Sequence, residues 1–135
     1  MKKIFLSLPM RNRSIENIEK TISKMKNIAS AMFEGEEIEF IENLSFKKVP
    51  EECNKSVWHL GEAIQKLSSA NVLITVDCPY YLHARGVDSE TRIFREYGLG
   101  EQIYIPCERV MNKDELKELR KKFEEEEGPK LEGCA

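Results

Sequence analysis

Short β-branched apolar segments alternate along this chain with longer segments whose apolar residues recur every three or four positions. The short segments are typical of buried strands and the longer ones of amphipathic helices. Strands that alternate with helices are joined by right-handed crossovers, so they pair in parallel. We therefore expect an α/β fold, a three-layer sandwich with a four- to five-stranded, mainly parallel sheet of the flavodoxin-like or Rossmann-like kind. The predicted strands cover residues 4–8, 37–42, 72–76 and 103–106, and the charged second strand is expected near an edge.

The predicted helices occupy the intervals between these strands. Ser14 is a suitable N-cap for the first helix, which should end before Gly35. The apolar stripe of this helix should face the sheet and consists of Ile15, Ile18, Ile22, Met25, Ile28, Ala29 and Met32. The other predicted helices are residues 57–68, a third that Glu90 opens and Gly98 caps, and a last one over residues 113–127, capped by Asn112.

Length, charge and cysteine usage narrow the class of protein. The 135 residues suffice for a single domain, expected over residues 1–127, with residues 128–135 as a flexible tail. A net charge of -3 without a long basic run argues against nucleic acid as a partner. No apolar run approaches the ~20 residues of a membrane span. The four cysteines form no CxxC pair, which argues against a metal site and for a reducing cytoplasm. The Gly-rich dinucleotide fingerprint is missing, so no cofactor is expected.

Glu90 is the first candidate for chemistry. It follows a buried strand and a glycine-bearing loop, at the rim where parallel sheets bind ligands. In the first turn of a helix, the peptide dipoles would hold its carboxylate ionised, which suits a nucleophile or a group that stabilises a sugar cation. Acidic residues also occur in first turns for stability alone, so a structural role stays open.

Two further sets of residues lie at the same rim. Arg11 and Arg13 follow the first strand, where guanidinium groups beside a helix N-terminus either hold a phosphate or form a solvated surface. The second set consists of rings that stack on a base or pack within the fold, namely Tyr80, Tyr81 and His83 after the third strand and Trp58 in the second helix.

Three segments together resemble the nucleoside 2-deoxyribosyltransferase superfamily and the related nucleotide N-glycosidases: KIFLSLPMRNR at 3–13, VWHLGEAIQKLSSANVLI at 57–74 and ARGVDSETRIFREYGL at 84–99. The resemblance extends to about Cys107. It implies that Glu90 attacks the anomeric carbon of a nucleoside or nucleotide and releases the base. It also implies a homo-oligomer and a loop after the first strand that binds a 5′-phosphate through Arg11. The implied substrate-binding residues are Ser7, Pro9, Met10, Arg11, Arg13, Trp58, His83 and Gly86.

The chain departs from the family pattern at two positions. Ala63 stands where family enzymes place an Asp on the helix before the third strand, and Ala84 where they place an Asp or Ser before the nucleophile. Glu62 and His83 are the nearest polar substitutes. The sequence thus favours an N-glycosidase or deoxyribosyltransferase. Two alternatives stay open: a module that binds a nucleotide or nucleotide-derived signal without cleaving it, and an interaction protein in which Glu90 only stabilises its helix.

Overall fold

A parallel sheet forms the centre of the fold. The computed structural model describes residues 1–44, 47–80 and 85–126. In these ranges the strands are β1 (Lys2–Ser7), β2 (Ile38–Ile41), β3 (Val72–Asp77) and β4 (Glu101–Pro106). Their order is β2-β1-β3-β4, and each neighbouring pair is parallel. The predicted α/β class is confirmed, with four strands in the described part of the chain and β2 at an edge.

The helices of the described residues lie between and after the strands: α1 (Ile15–Met32), α2 (Lys55–Leu67), α3 (Arg85–Glu96), α4 (Cys107–Val110) and α5 (Lys113–Glu126). Ser14 caps α1 as predicted, and its side chain accepts a hydrogen bond from the Asn17 N–H. Asn112 accepts a backbone hydrogen bond at the start of α5, also as predicted. Helix α2 begins two residues earlier than predicted, because the Asn54 side chain caps it by accepting from the Val57 N–H. The short α4 was not predicted.

Alternate residues of each strand point to opposite faces of the sheet. Both faces carry apolar side chains, and helices pack against each of them. On one face, Ile4, Leu6 and Ile74 pack with apolar residues of α1, α4 and α5. On the other face, Phe5 and Leu73 pack with apolar residues of α2 and α3. The result is the predicted three-layer sandwich, and it assigns α3, which carries Glu90, to the same layer as α2.

The apolar stripe of α1 differs from the prediction at both ends. Ile18, Met25 and Ala29 are buried, but Ile15 and Met32 are 51% and 49% exposed. An 18-residue helix is about 27 Å long, whereas a six-residue strand spans about 20 Å. The terminal turns of α1 therefore extend past the strand that its centre covers, and the stripe is buried only in the middle.

The strand order reverses at β1. From β1 the chain crosses to β2 on one side and then returns to β3 on the other. In open α/β sheets, ligands bind outside the carboxyl ends of the strands at such a switch point. Ser7 ends β1 and Asp77 ends β3. The carboxyl edge between these two strands is therefore where this fold can build a ligand site.

Candidate active site at the carboxyl edge of the sheet

Glu90 lies in the second turn of α3 and is only 5% exposed. The buried Ser7 hydroxyl donates a hydrogen bond to Glu90 Oε2 at 2.7 Å. Asn43, which follows β2, donates a weaker hydrogen bond to Oε1 at 3.4 Å. Three elements that are far apart in the sequence thus hold one carboxyl group over the end of β1. Ser7 was predicted to bind substrate, and its hydroxyl instead contacts Glu90.

The prediction that Glu90 opens its helix was wrong. Helix α3 begins at Arg85, so Glu90 lies beyond the first turn of the helix. The field of the helix dipole acts mainly within that first turn and therefore does not hold Glu90 ionised. Burial raises the pKa of Glu90 from its ordinary 4.5 to about 7, because the charged form loses its hydration. The hydrogen bonds from Ser7 and Asn43 favour the charged form and lower this pKa, but they offset burial only in part. The protonated form of the carboxyl group is therefore populated near neutral pH, whereas the sequence predicted a carboxylate that is held ionised.

Strand β3 contributes two polar residues beside this group. Thr75 pairs with Ser7 in the β1–β3 register, and its buried hydroxyl has no hydrogen-bond partner among the described residues. Asp77 is two residues farther along β3, so its side chain leaves the sheet on the same face as that of Thr75. Asp77 is exposed. Sequence reasoning missed Asn43, Thr75 and Asp77, although a polar residue at the end of a buried strand was the available signal for Asp77.

Arg13 lies on the opposite face of the sheet and is bound within the fold. Its side chain is 1% exposed and forms an ion pair with Glu115 of α5. Its Nη1 donates to the Pro9 carbonyl at 2.7 Å, and its Nη2 donates to Thr21 Oγ1 at 2.6 Å and to the Asn17 carbonyl at 3.3 Å. A phosphate could reach this guanidinium only by displacing those acceptors. We therefore leave Arg13 out of the proposed site.

The rest of the loop after β1 divides into buried and exposed residues. Pro9 is buried, and Met10 packs against the apolar core on the α1 face. Arg11 is exposed, and within the described ranges it has no hydrogen bond or ion pair. Arg11 is therefore the arginine of this loop that is available to a ligand.

The remaining predicted binding residues are less constrained. Trp58 is half-buried in the first turn of α2, with its ring edge-on to His59 at 5.3 Å between centroids. Gly86 is exposed in the first turn of α3, and an added Cβ would meet no atom within 4 Å. His83 and Ala84 lie outside the described residues. The predicted roles of Trp58, Gly86 and His83 stay predictions.

Glu62 and Tyr80 each have contacts of their own within the described part of the chain. Ala63 is buried in the apolar core of the α2–α3 face. Its neighbour Glu62 forms an ion pair with Lys47 at 3.4 Å, and Glu62 Oε1 lies 3.5 Å from His59 Nδ1 on the same helix. The Tyr80 hydroxyl accepts hydrogen bonds from an α5 arginine at 2.6 and 3.0 Å. Tyr80 therefore packs on α5 and not on a ligand.

No protein-family model, curated protein or solved structure matches this chain. The resemblance to the nucleoside 2-deoxyribosyltransferases therefore stays a prediction, as do the nucleotide partner, the homo-oligomer and the cytoplasmic location. Within residues 1–44, 47–80 and 85–126, no three His, Cys, Asp or Glu side chains are grouped so that they could hold a metal ion. In the same ranges, no helix combines the length and the apolar character that a bilayer span requires.

Proposed function

We propose that this protein cleaves the N-glycosidic bond of a nucleoside or nucleotide, as an N-glycosidase or a 2-deoxyribosyltransferase, with Glu90 as its nucleophile. The observation that carries the proposal is the buried Glu90 carboxyl group, held by Ser7 at the carboxyl edge between β1 and β3. Ligands of such sheets bind at this edge. The family resemblance of the segments around both residues supports the same assignment.

The proposed reaction has two steps, as in retaining glycosidases. In the first, a Glu90 oxygen bonds to C1′ of the sugar while the C1′–N bond breaks, and the base leaves with the bonding electrons and takes up a proton. In the second, water or another base bonds to C1′ and the ester oxygen returns to Glu90 with its electron pair. Ser7 binds Oε2 more closely than Asn43 binds Oε1, so we assign the attack to Oε1.

Arg11 supports a nucleotide rather than a nucleoside as substrate. It lies in the loop that follows β1, at the same edge as Ser7, and no described residue neutralises its charge. A guanidinium can bind a phosphate with two parallel hydrogen bonds. We therefore propose that Arg11 holds the 5′-phosphate, without help from the buried Arg13.

One observation favours a second candidate function, a module that binds a nucleotide without cleaving it. Glu90 is 5% exposed, and burial raises its pKa to about 7, so a large fraction of it is protonated at neutral pH. A protonated carboxyl group donates a hydrogen bond well but attacks poorly. The two candidates share the site and differ in whether Glu90 bonds to C1′.

Detection of free base tests the proposal. Purified protein is incubated with ribo- and deoxyribonucleosides and their 5′-monophosphates, and the products are separated by chromatography. We expect the wild type to release base and Glu90→Gln to release none above background. Glu96→Gln, which changes an exposed glutamate of the same helix, should match the wild type. Arg11→Ala should raise the KM for monophosphates and leave the KM for nucleosides unchanged. Arg95→Ala, at another exposed arginine, should change neither KM.

The same samples separate the two candidates. If the folded wild type releases no base from any compound, the catalytic proposal is wrong. Thermal stabilisation by one monophosphate, kept in Glu90→Gln and weakened in Arg11→Ala, would then establish the binding module. Base release that survives in Glu90→Gln would show that another group carries the reaction.

A further inference from the structure

The carboxyl edge of the sheet, where Glu90 lies, carries a second carboxylate that the proposed reaction does not use. Asp77 is the last residue of β3, the strand that pairs with β1 directly beside Ser7. It is exposed, and its side-chain carboxylate has no hydrogen bond or ion pair within residues 1–44, 47–80 and 85–126. An uncompensated carboxylate at the end of a buried strand therefore adjoins β1, the strand that carries Ser7.

The register places Asp77 on the Glu90 side of the sheet. Thr75 is opposite Ser7, and Leu73, two residues before Thr75, packs in the α2–α3 core. Alternate strand residues share a face, so Asp77 projects toward the layer that contains α3. With strands about 4.8 Å apart and a rise of about 3.3 Å per residue, the Cα atoms of Asp77 and Ser7 lie roughly 8 Å apart. Asp77 therefore lies one strand away from Ser7, the residue whose hydroxyl binds Glu90.

Thr75 supplies an independent sign that this space receives a polar group. Its side chain is 3% exposed, and its hydroxyl has no partner among the described residues. A buried hydroxyl without a hydrogen bond costs about 1–3 kcal/mol, so native structures rarely leave one unpaired. Thr75 is directly opposite Ser7 and two residues before Asp77 on this face, so its unpaired hydroxyl adjoins both residues.

We propose that Asp77 is the general base of the second step, a role that rests on the proposed function. After the base has left, a water oxygen bonds to C1′ and the bond between C1′ and Glu90 breaks. The electron pair of that bond returns to Glu90, and the proton of the water passes to Asp77 and then to solvent. Ala63 contributes no acidic group from α2, so we assign the proton to the Asp77 carboxylate at the end of β3.

The test separates the two steps in time. Asp77→Asn is mixed rapidly with the substrate found for the wild type, and released base and intact protein mass are followed together. We expect a burst of about one base per active site and then turnover about 10²- to 10⁴-fold slower than in the wild type. The protein mass should rise by one sugar residue, attached at Glu90. Azide attacks without a proton to lose, so it should accelerate Asp77→Asn and leave the wild type unchanged.

Glu108→Gln is the matched control, because Glu108 is an exposed carboxylate just after β4, in a helix on the opposite face. It should show wild-type turnover and no burst. The inference is overturned if Asp77→Asn behaves like this control, or if it slows the burst and the later turnover equally without trapping a sugar on Glu90. Base release by the wild type would still stand in both cases. Absence of base release from the wild type overturns the proposed function and this inference together.

Discussion

The burial of Glu90 predicts that the contribution of this residue to the stability of the protein falls as the pH rises through the weakly acidic range. The unfolded chain ionises Glu90 near its ordinary pKa of 4.5, whereas the folded chain does so at about 7. Below pH 4.5 both states are protonated and the group has no effect. Between pH 4.5 and 7 only the unfolded state loses the proton, so the free energy of unfolding decreases with pH. Above pH 7 both states are ionised and the loss levels off.

The magnitude follows from the difference between the two pKa values. Each tenfold change in proton affinity corresponds to about 1.4 kcal/mol, so the full loss is about 3 kcal/mol. Glu90→Gln keeps the shape of the side chain and cannot ionise. Its free energy of unfolding, minus that of the wild type, should therefore increase by about 3 kcal/mol between pH 4.5 and pH 8.5.

Urea denaturation followed by far-ultraviolet circular dichroism measures this difference at each pH. The subtraction removes the contributions of all other ionisable groups. Glu96→Gln, at an exposed position of the same helix, is the control and should give a flat difference. A flat profile for Glu90→Gln would refute the argument that burial dominates. A decrease with pH would show that the hydrogen bonds from Ser7 and Asn43 outweigh burial.

Three further substitutions test the fold in the same assay. Arg13→Ala leaves Glu115 without its buried partner and should lower the free energy of unfolding by about 3–5 kcal/mol; a loss under about 1 kcal/mol would contradict a structural role. Gly100→Ala places a Cβ 1.9 Å from the Asn71 carbonyl oxygen at a φ of +159° and should cost at least about 2 kcal/mol. Gly61 lies within α2, and a Cβ added there would meet no atom within 4 Å, so Gly61→Ala should instead raise the free energy of unfolding by about 0.5–1 kcal/mol. Equal effects of the two glycine substitutions would contradict this steric argument.

The elements of this fold could be predicted because they depend on near neighbours in the chain. The apolar run predicted as a strand at residues 4–8 lies in β1 up to Ser7, and the β-branched run at residues 72–76 lies in β3. Ser14 caps α1 through a residue three positions away, and Asn112 caps α5 through one two positions away. Such contacts are settled by local spacing and by the length of a side chain, so a pattern in the sequence is enough to identify them.

The candidate site could be predicted only in part, because its contacts join distant residues. Ser7 and Glu90 are 83 positions apart, and Asn43 and Glu90 are 47 apart. Arg13 is the clearest example of such a long-range contact. Its place beside a helix N-terminus suggested a phosphate ligand, but it meets Glu115, 102 positions away. Nothing in the local sequence indicates which helix will cover that arginine.

The sequence by itself determined that the chain forms a parallel α/β sheet and that Glu90 and Arg11 lie near its carboxyl edge. Hydrophobic periodicity is a property of short segments, and the crossover connections between parallel strands are right-handed. Together these two constraints leave few possible topologies. Only the tertiary structure decided that Glu90 is buried beside Ser7 with a raised pKa, and that Arg13 is bound in an ion pair with Glu115. Hydration and charge pairing depend on which elements pack together, and that is a property of the whole fold.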